Sequence, residues 1–310
     1  MNFSKADSIL SQAIDTVTPA AQMVIRQHGA IVHDVALGFL DPETKTRPTN
    51  FETLFDLASV TKLFTTTAFM TLVEDGKVSA DDPVLTVLPE FSGVRPIQPY
   101  EDPLDWGKTV SIPPRPLGEG QGVRASTVDA DKVTFRNLLV HNSGLPAWRA
   151  FKDQPDAQAA LKLAFDTFFS YPTGERIVYS DVGLILLGVA VSRLTGSPLD
   201  ESIYQRVTKP LGLSAHFQLA APLQSIQNFA PTEFCKWRNR RIVGEVHDES
   251  AWRLGGVAGH AGMFAHARDV AAFGQSFLDA SLLQPETIVE MTRQQAEFNS
   301  VRRGLGFALW

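Results

Sequence analysis

A serine three residues before a lysine on one helix face is a minimal pair of nucleophile and base, and Ser59 and Lys62 in the run Ser59-Val60-Thr61-Lys62 form one. The chemistry this predicts is attack of the Ser59 hydroxyl on a carbonyl while the Lys62 amine handles its proton. Of ten lysines, Lys62 alone has a serine three places before it; with twenty serines, about one such spacing is expected by chance. The pair therefore needs support from its surroundings. The competing reading is a capping serine and a lysine that lays its stem along apolar surface.

The segment from Leu57 to Asp75 carries Leu63, Phe64, Phe69, Met70, Leu72 and Val73, with an acidic pair before Gly76, and is predicted as a mostly buried helix. Ser59 falls in its first turn, where unpartnered backbone N–H groups and the positive dipole end favour negative charge. Spacing of three stacks Lys62 one turn above Ser59. An apolar setting disfavours the charged lysine, which would let it take the serine proton.

At 310 residues the chain is predicted to form two lobes around a sizeable core. A net charge of −6 and no Lys/Arg cluster argue against nucleic acid as a partner. The single cysteine, Cys235, excludes an internal disulfide and a thiolate metal cluster. No stretch reaches the roughly 18 apolar residues a membrane span needs. The first 17 residues read as an amphipathic helix rather than a secretion signal, so a cytoplasmic protein is expected.

Segments 21–27 and 30–39, separated by His28 and Gly29, predict a two-stranded hairpin packed by the first helix. Residues 91–128 hold six prolines and five glycines after Phe91 and are predicted as a long inserted loop without regular structure, either a lid or a surface elaboration. From Val133 to Leu213 the periodicity is helical, and helices are predicted again at 267–280 and 285–295.

Four segments then occur in a telling order: LASVTK; LLVHNSGLP at 138–146; YPTGERIVYSDVGLILLG at 171–188; and GGVAGHAGMFAHARDVAAF at 255–273. Together they resemble the serine β-lactamase and D-alanyl-D-alanine peptidase superfamily, specifically its class C-like serine hydrolases and their esterase-like branch. The resemblance implies an α/β lobe with an antiparallel sheet flanked by helices, residues 1–90 and 231–310, and a mainly helical lobe, residues 91–230. It makes Ser59 the nucleophile and Lys62 and Tyr179 the proton-transfer groups, with Asp181, Gly259 and His260 beside the substrate.

Tyr179-Ser180-Asp181 stands where the family has Tyr-x-Asn. Asn both donates and accepts, whereas a carboxylate only accepts, which turns the site away from amide recognition of the β-lactam and peptide kind. Pairing with Lys62 or capping of the helix that follows are the other roles for Asp181. His141 is expected to be structural, within the turn Asn142-Ser143-Gly144. His247, Asp248, Glu249, His260 and His266 lack metal-ligand spacing, so no metal or other cofactor is expected, and Asp248 and Glu249 are expected to cap or brace their loop. The family's third motif, Lys/His-Thr/Ser-Gly, has no copy here: the Thr-Gly and Ser-Gly pairs follow Pro172, Leu194, Phe91 and Asn142. The expectation is a chain that stops short of the family's C-terminal strands and is correspondingly weak or inactive. The function expected of the whole is hydrolysis of an ester or amide through an acyl-enzyme on Ser59. The alternatives are a D-alanyl-D-alanine carboxypeptidase or β-lactamase, and a peptide-binding module that does not turn over. The partner is then a small ester, amide or peptide, with the oligomeric state open.

Overall fold

The computed structural model describes residues 2–101, 107–110, 127–218 and 227–310. Helix α1 (Ser4–Ala13) leads into a hairpin of β1 (Ala20–Gln27) and β2 (Ala30–Gly38), paired antiparallel with a register shift between Ile25 and Arg26. The turn is made by His28 at φ 49° and Gly29 at φ 81°, the two successive left-handed residues that match the twist of paired strands. Helix α1 is fixed to β2 by the stacked rings of Phe3 and His33 and by Asp7 accepting from His33 at 2.6 Å.

The sheet nearest the candidate nucleophile is antiparallel and three-stranded, with β11 (Met263–Ala265) between β3 (Phe55–Asp56) and β8 (His216–Phe217). After β3 a short 3-10 turn, Ala58–Val60, runs into α2 (Thr61–Glu74). The predicted helix is therefore real but begins two residues after Ser59, and Ser59 itself belongs to the tighter turn. Helix α2 is buried on nearly every side, as expected for a helix apolar all round. Phe64 stacks on Phe273 of α8 (Ala267–Asp279), and Phe69 packs at a tilt against Phe135 of α3 (Phe135–Leu139).

The second buried helix is α5 (Asp181–Thr195), which packs against α2. Ser180 caps its start by accepting from Gly183 N–H at 3.2 Å, and Gly196 at φ 71° ends it. The shorter helices α4 (Ala157–Phe165), α6 (Leu199–Ile203) with its π-helical extension to Thr208, α7 (Glu249–Arg253) and α9 (Pro285–Thr292) sit around this pair. One contiguous core unites α2, α3, α5, α8 and α9. No single helix among the described residues is long and apolar enough to cross a membrane.

The long loop expected at 91–128 needs correction at its described ends. There β4 (Val94–Pro96) pairs with β7 (Thr127–Asp129), and β5 (Tyr100–Glu101) with β6 (Thr109–Val110). Pro96 is accommodated as the last residue of its strand, where its missing N–H breaks no longer ladder. The interior of the segment, 102–106 and 111–126, lies outside the described residues. Two further ribbons complete the chain: β9 (Phe234–Cys235) with β10 (Arg240–Arg241), and β12 (Ala296–Phe298), β13 (Val301–Arg303) and β14 (Ala308–Leu309) as an antiparallel set.

Candidate active site

Asp56 begins the site. Its Oδ1 accepts the Ala58 N–H at 2.8 Å and its Oδ2 accepts the His247 N–H at 2.7 Å, so one carboxylate ties the turn before Ser59 to the loop before α7. Burial pushes its pKa up, and the two N–H donors oppose the rise. Ala58 is held at φ 43°, a conformation that is costly for a residue with a Cβ and that persists here within the Asp56 clamp. The next residue, Ser59, therefore stands at a sharp corner with its own N–H at a helix start, where backbone donors lack an intrahelical partner.

Lys62 lies one turn on and is only 6% exposed. Three oxygens surround its ammonium: Ser59 Oγ accepts at 2.9 Å, the His260 carbonyl accepts at 3.0 Å, and Asp181 Oδ1 lies at 2.8 Å. An ammonium has three N–H bonds and no lone pair, and this set uses all three. The Tyr179 ring supplies a fourth side, its centroid 4.9 Å from Lys62 Nζ.

Tyr179 is held from behind by His141. The His141 ring packs on it at 4.8 Å, and His141 Nδ1 accepts the Ser180 N–H at 3.0 Å. The His141 carbonyl accepts from Val178 N–H at 2.9 Å. Desolvation, with Arg303 and Lys62 nearby, lowers the His141 pKa from 6.5 to about 3, so it is a neutral imidazole with Nδ1 as acceptor. The structural role expected of His141 is thus specific: it positions the peptide that carries Tyr179. Arg303 of β13 lies 5.7 Å from the same phenol ring and lines the same cavity. No hydrogen bond joins the Tyr179 hydroxyl to Ser59 or Lys62; the ring, not the oxygen, faces the ammonium.

The loop 255–262 delivers the His260 carbonyl. Gly259 packs so closely on α5 that a Cβ there would meet the Leu184 carbonyl at 2.0 Å, and at Gly188 a Cβ would meet Gly259 Cα at 2.9 Å. His260 is 1% exposed, with Nε2 bonded to Asp248 Oδ1 at 3.0 Å. Asp248 also caps α7 by accepting from Ala251 N–H at 2.7 Å, which is the bracing role expected of it, and Glu249 pairs with Lys152 at 2.6 Å. Burial alone would raise the Asp248 pKa; the charge and hydrogen bond of His260 and the Ala251 N–H outweigh it and hold it low.

Two cavities flank the Lys62–Asp181 pair, Lys62 lining one and Asp181 the other. The smaller, about 210 Å³, is lined by Ser59, Lys62, His141, Tyr179 and Arg303; the larger, about 670 Å³, is lined by Asp181, Asp248, Trp148, Tyr100 and Phe168 among others.

Of the residues singled out from sequence, the fold brings Ser59, Lys62, Tyr179 and Asp181 together. Gly259 and His260, expected beside the substrate, do not line these two cavities. Gly259 is consumed by packing on α5, and His260 contributes its backbone carbonyl while its ring faces Asp248. The capping role considered for Asp181 is also corrected, because Ser180 is the cap and Asp181 is the first helical residue. Three contributors had no sequence signal pointing to the site. Asp56 and Arg303 belong to no motif, and Asp248, expected to cap and brace, reaches Lys62 only through His260. Donor atoms of Asp181, Asp248 and His260 lie within 4.8 Å of one another, although their sequence spacing resembles no metal motif.

The chain matches the Beta-lactamase family model over residues 6–310. It is 32% identical to an N-acetylmuramyl-L-alanine amidase of Bacillus subtilis (strain 168), covering 89% of this chain and 62% of the relative's length. It is 28% identical to a putative D-alanyl-D-alanine carboxypeptidase of Escherichia coli (strain K12), covering 95% of this chain and 69% of that one. In fold it is similar to an octameric penicillin-binding protein homologue from Pyrococcus abyssi, with a TM-score of 0.74 at 22% identity over 100% of this chain and 65% of the other. A D-amino acid amidase from Ochrobactrum anthropi SV3 gives 0.71 at 21%, over 99% and 81%. The chain thus spans less than two thirds of the Bacillus relative. With the family model matched across almost its whole length and the Ser-x-x-Lys pair lining a cavity, this chain belongs to the beta-lactamase family.

Proposed function

We propose that this chain is a serine hydrolase that cleaves an ester or amide through an acyl-enzyme on Ser59. The observation that carries the reading is the 2.9 Å contact between Lys62 Nζ and Ser59 Oγ in a cavity closed by Tyr179, His141 and Arg303. Ser59 Oγ bonds to the substrate carbonyl carbon, and its N–H stabilises the developing oxyanion. Lys62 has no lone pair as an ammonium, so it takes the Ser59 proton only by giving up one of its own. The acceptor in contact is the Asp181 carboxylate at 2.8 Å; Tyr179 becomes a second route if its side chain turns its oxygen toward Lys62. As the carbon–leaving-group bond breaks, the stored proton goes to the leaving group. Water then attacks the acyl carbon, gives a proton back through Lys62 and Asp181, and frees Ser59.

A second reading, a D-alanyl-D-alanine carboxypeptidase, is supported by the Escherichia coli relative. A third, a module that is acylated without turnover, uses the same cavity. A fluorophosphonate probe separates them from the first. Labelling that Ser59→Ala abolishes, together with steady turnover of p-nitrophenyl esters that falls at least about a thousandfold in that variant, is the expected result. Labelling without turnover selects the binding module, and unchanged ester hydrolysis in Ser59→Ala defeats the acyl-enzyme reading.

A further inference from the structure

The carboxylate of Asp181 has capacity that Lys62 does not use. Among the described residues Lys62 is its one side-chain partner, through Oδ1, yet a carboxylate offers about four acceptor positions. Its side chain is 26% exposed and forms part of the wall of the 670 Å³ cavity. That wall is acidic: Glu101, Asp153, Asp181, Asp248 and Glu249 stand against Arg149 and Lys152, with Glu249 paired to Lys152 at 2.6 Å, Asp181 to Lys62 and Asp248 to His260. Asp181 and Asp248 bring acceptor atoms within 4.8 Å of each other, an arrangement of like charges that a further cation relieves. Nothing at the Asp181 side chain can donate to a substrate carbonyl, so the partner that satisfies it must bring its own N–H groups.

The reach is short. Ser59 Oγ and Asp181 Oδ1 share Lys62 Nζ at 2.9 and 2.8 Å, which sets them within about 6 Å of one another. A reacting carbonyl carbon sits about 3 Å from the nucleophile, and a charge-assisted N–H···O contact spans about 2.8 Å. Those two contacts together already cover the separation, so an ammonium only one or two bonds from that carbonyl can rest on Asp181.

Resting on the acyl-enzyme reading above, we propose that the site selects acyl groups bearing a free ammonium on the carbon α or β to the reacting carbonyl, with Asp181 as the specificity-determining residue. The substrates are then aminoacyl esters and amides with an unblocked amine.

The test compares kcat/KM for phenylalanine p-nitrophenyl ester, in both enantiomers, with the matching N-acetyl esters, in the unaltered chain and in Asp181→Asn. The expected result is a preference of about tenfold or more for the free amine, shrinking to near parity in Asp181→Asn. Because that variant also alters the Lys62 environment, the ratio between substrates is the readout, and circular dichroism verifies that it folds. A second measurement needs no variant: phenylalanine amide should protect Ser59 from the probe at concentrations where N-acetylphenylalanine amide does not. Equal use of both esters, or a preference that survives in Asp181→Asn, overturns the proposal and leaves the hydrolase reading standing. Loss of the preference on EDTA treatment with recovery on adding Zn²⁺ also overturns it, by assigning Asp181, Asp248 and His260 to a metal. Failure of every ester together with absence of probe labelling sinks the acyl-enzyme reading, and this proposal with it.

Discussion

His141 Nδ1 accepts the backbone N–H of Ser180 at 3.0 Å, and through this one bond a buried imidazole fixes the peptide between Tyr179 and the start of α5. The bond exists only while Nδ1 is unprotonated. Its strength is therefore a function of pH, although His141 touches no solvent to speak of.

The folded pKa of His141 is about 3 against 6.5 for an exposed histidine. A depressed folded value means that the unfolded chain binds the proton first, so stability is full above 6.5 and falls as pH drops from 6.5 toward 3. The slope should approach about 1.4 kcal/mol per pH unit well below 6.5. Urea midpoints at pH 7 and pH 5 measure it above the range where most carboxylates titrate. In His141→Asn this contribution to the slope should disappear; an identical slope in the variant would assign the acid sensitivity elsewhere.

Asp56 should act on the reaction without touching substrate. Replacing it with Ala removes both the Ala58 and His247 bonds, which frees the strained corner before Ser59 and the loop that leads to Asp248. Displacing a reacting group by about 1 Å can cost roughly a hundredfold. Steady-state kinetics should show kcat falling by about tenfold to a hundredfold while KM changes little. A rise in KM at constant kcat would mean that Asp56 shapes the substrate cavity instead.

Gly259→Ala should be among the most damaging single methyl additions in the chain, since the new Cβ would meet the Leu184 carbonyl at 2.0 Å. The loop must retreat from α5 and take the His260 carbonyl away from Lys62. We expect a destabilisation of about 1–3 kcal/mol in urea titrations and a loss of probe labelling at Ser59. The control is Gly274→Ala within α8, where a Cβ meets nothing within 4 Å. It should be neutral or stabilise by about 0.5–1 kcal/mol from helix propensity alone. Equal effects at the two glycines would show that the close approach of α5 and the loop is not maintained in solution.

Lys62→Arg tests whether a positive charge suffices. Arginine keeps the charge, but its planar fork cannot reproduce three contacts from one nitrogen and does not give up a proton at working pH. Ester turnover should fall at least about a hundredfold while the protein stays folded by circular dichroism. Retention of more than half the activity would remove Lys62 from proton transfer.

Much of the scaffold was legible in the residues themselves. The apolar run after Ser59, the His28-Gly29 turn and the helical periods at 181–194 and 267–280 are local signals, and each element formed close to its predicted place, although the helix expected from Leu57 begins at Thr61 after a 3-10 turn. The Ser-x-x-Lys pair is local as well, because spacing of three fixes which side chains meet on a helix. At 91–101 and 107–129 proline content outweighed the weak strand signal, because residues as far apart as Val94 and Asp129 must meet before either pairs.

What the tertiary structure alone decided is how Lys62 is held. Its partners Asp181 and His260 lie 119 and 198 residues away along the chain, and the 198-residue contact is to a backbone carbonyl, a group that every residue possesses. Sequence marks a side chain by its type but cannot mark which carbonyl will face an amine. That choice was made by two glycines, Gly188 and Gly259, whose missing Cβ atoms let a loop and a helix approach closely enough to set the His260 oxygen on Lys62.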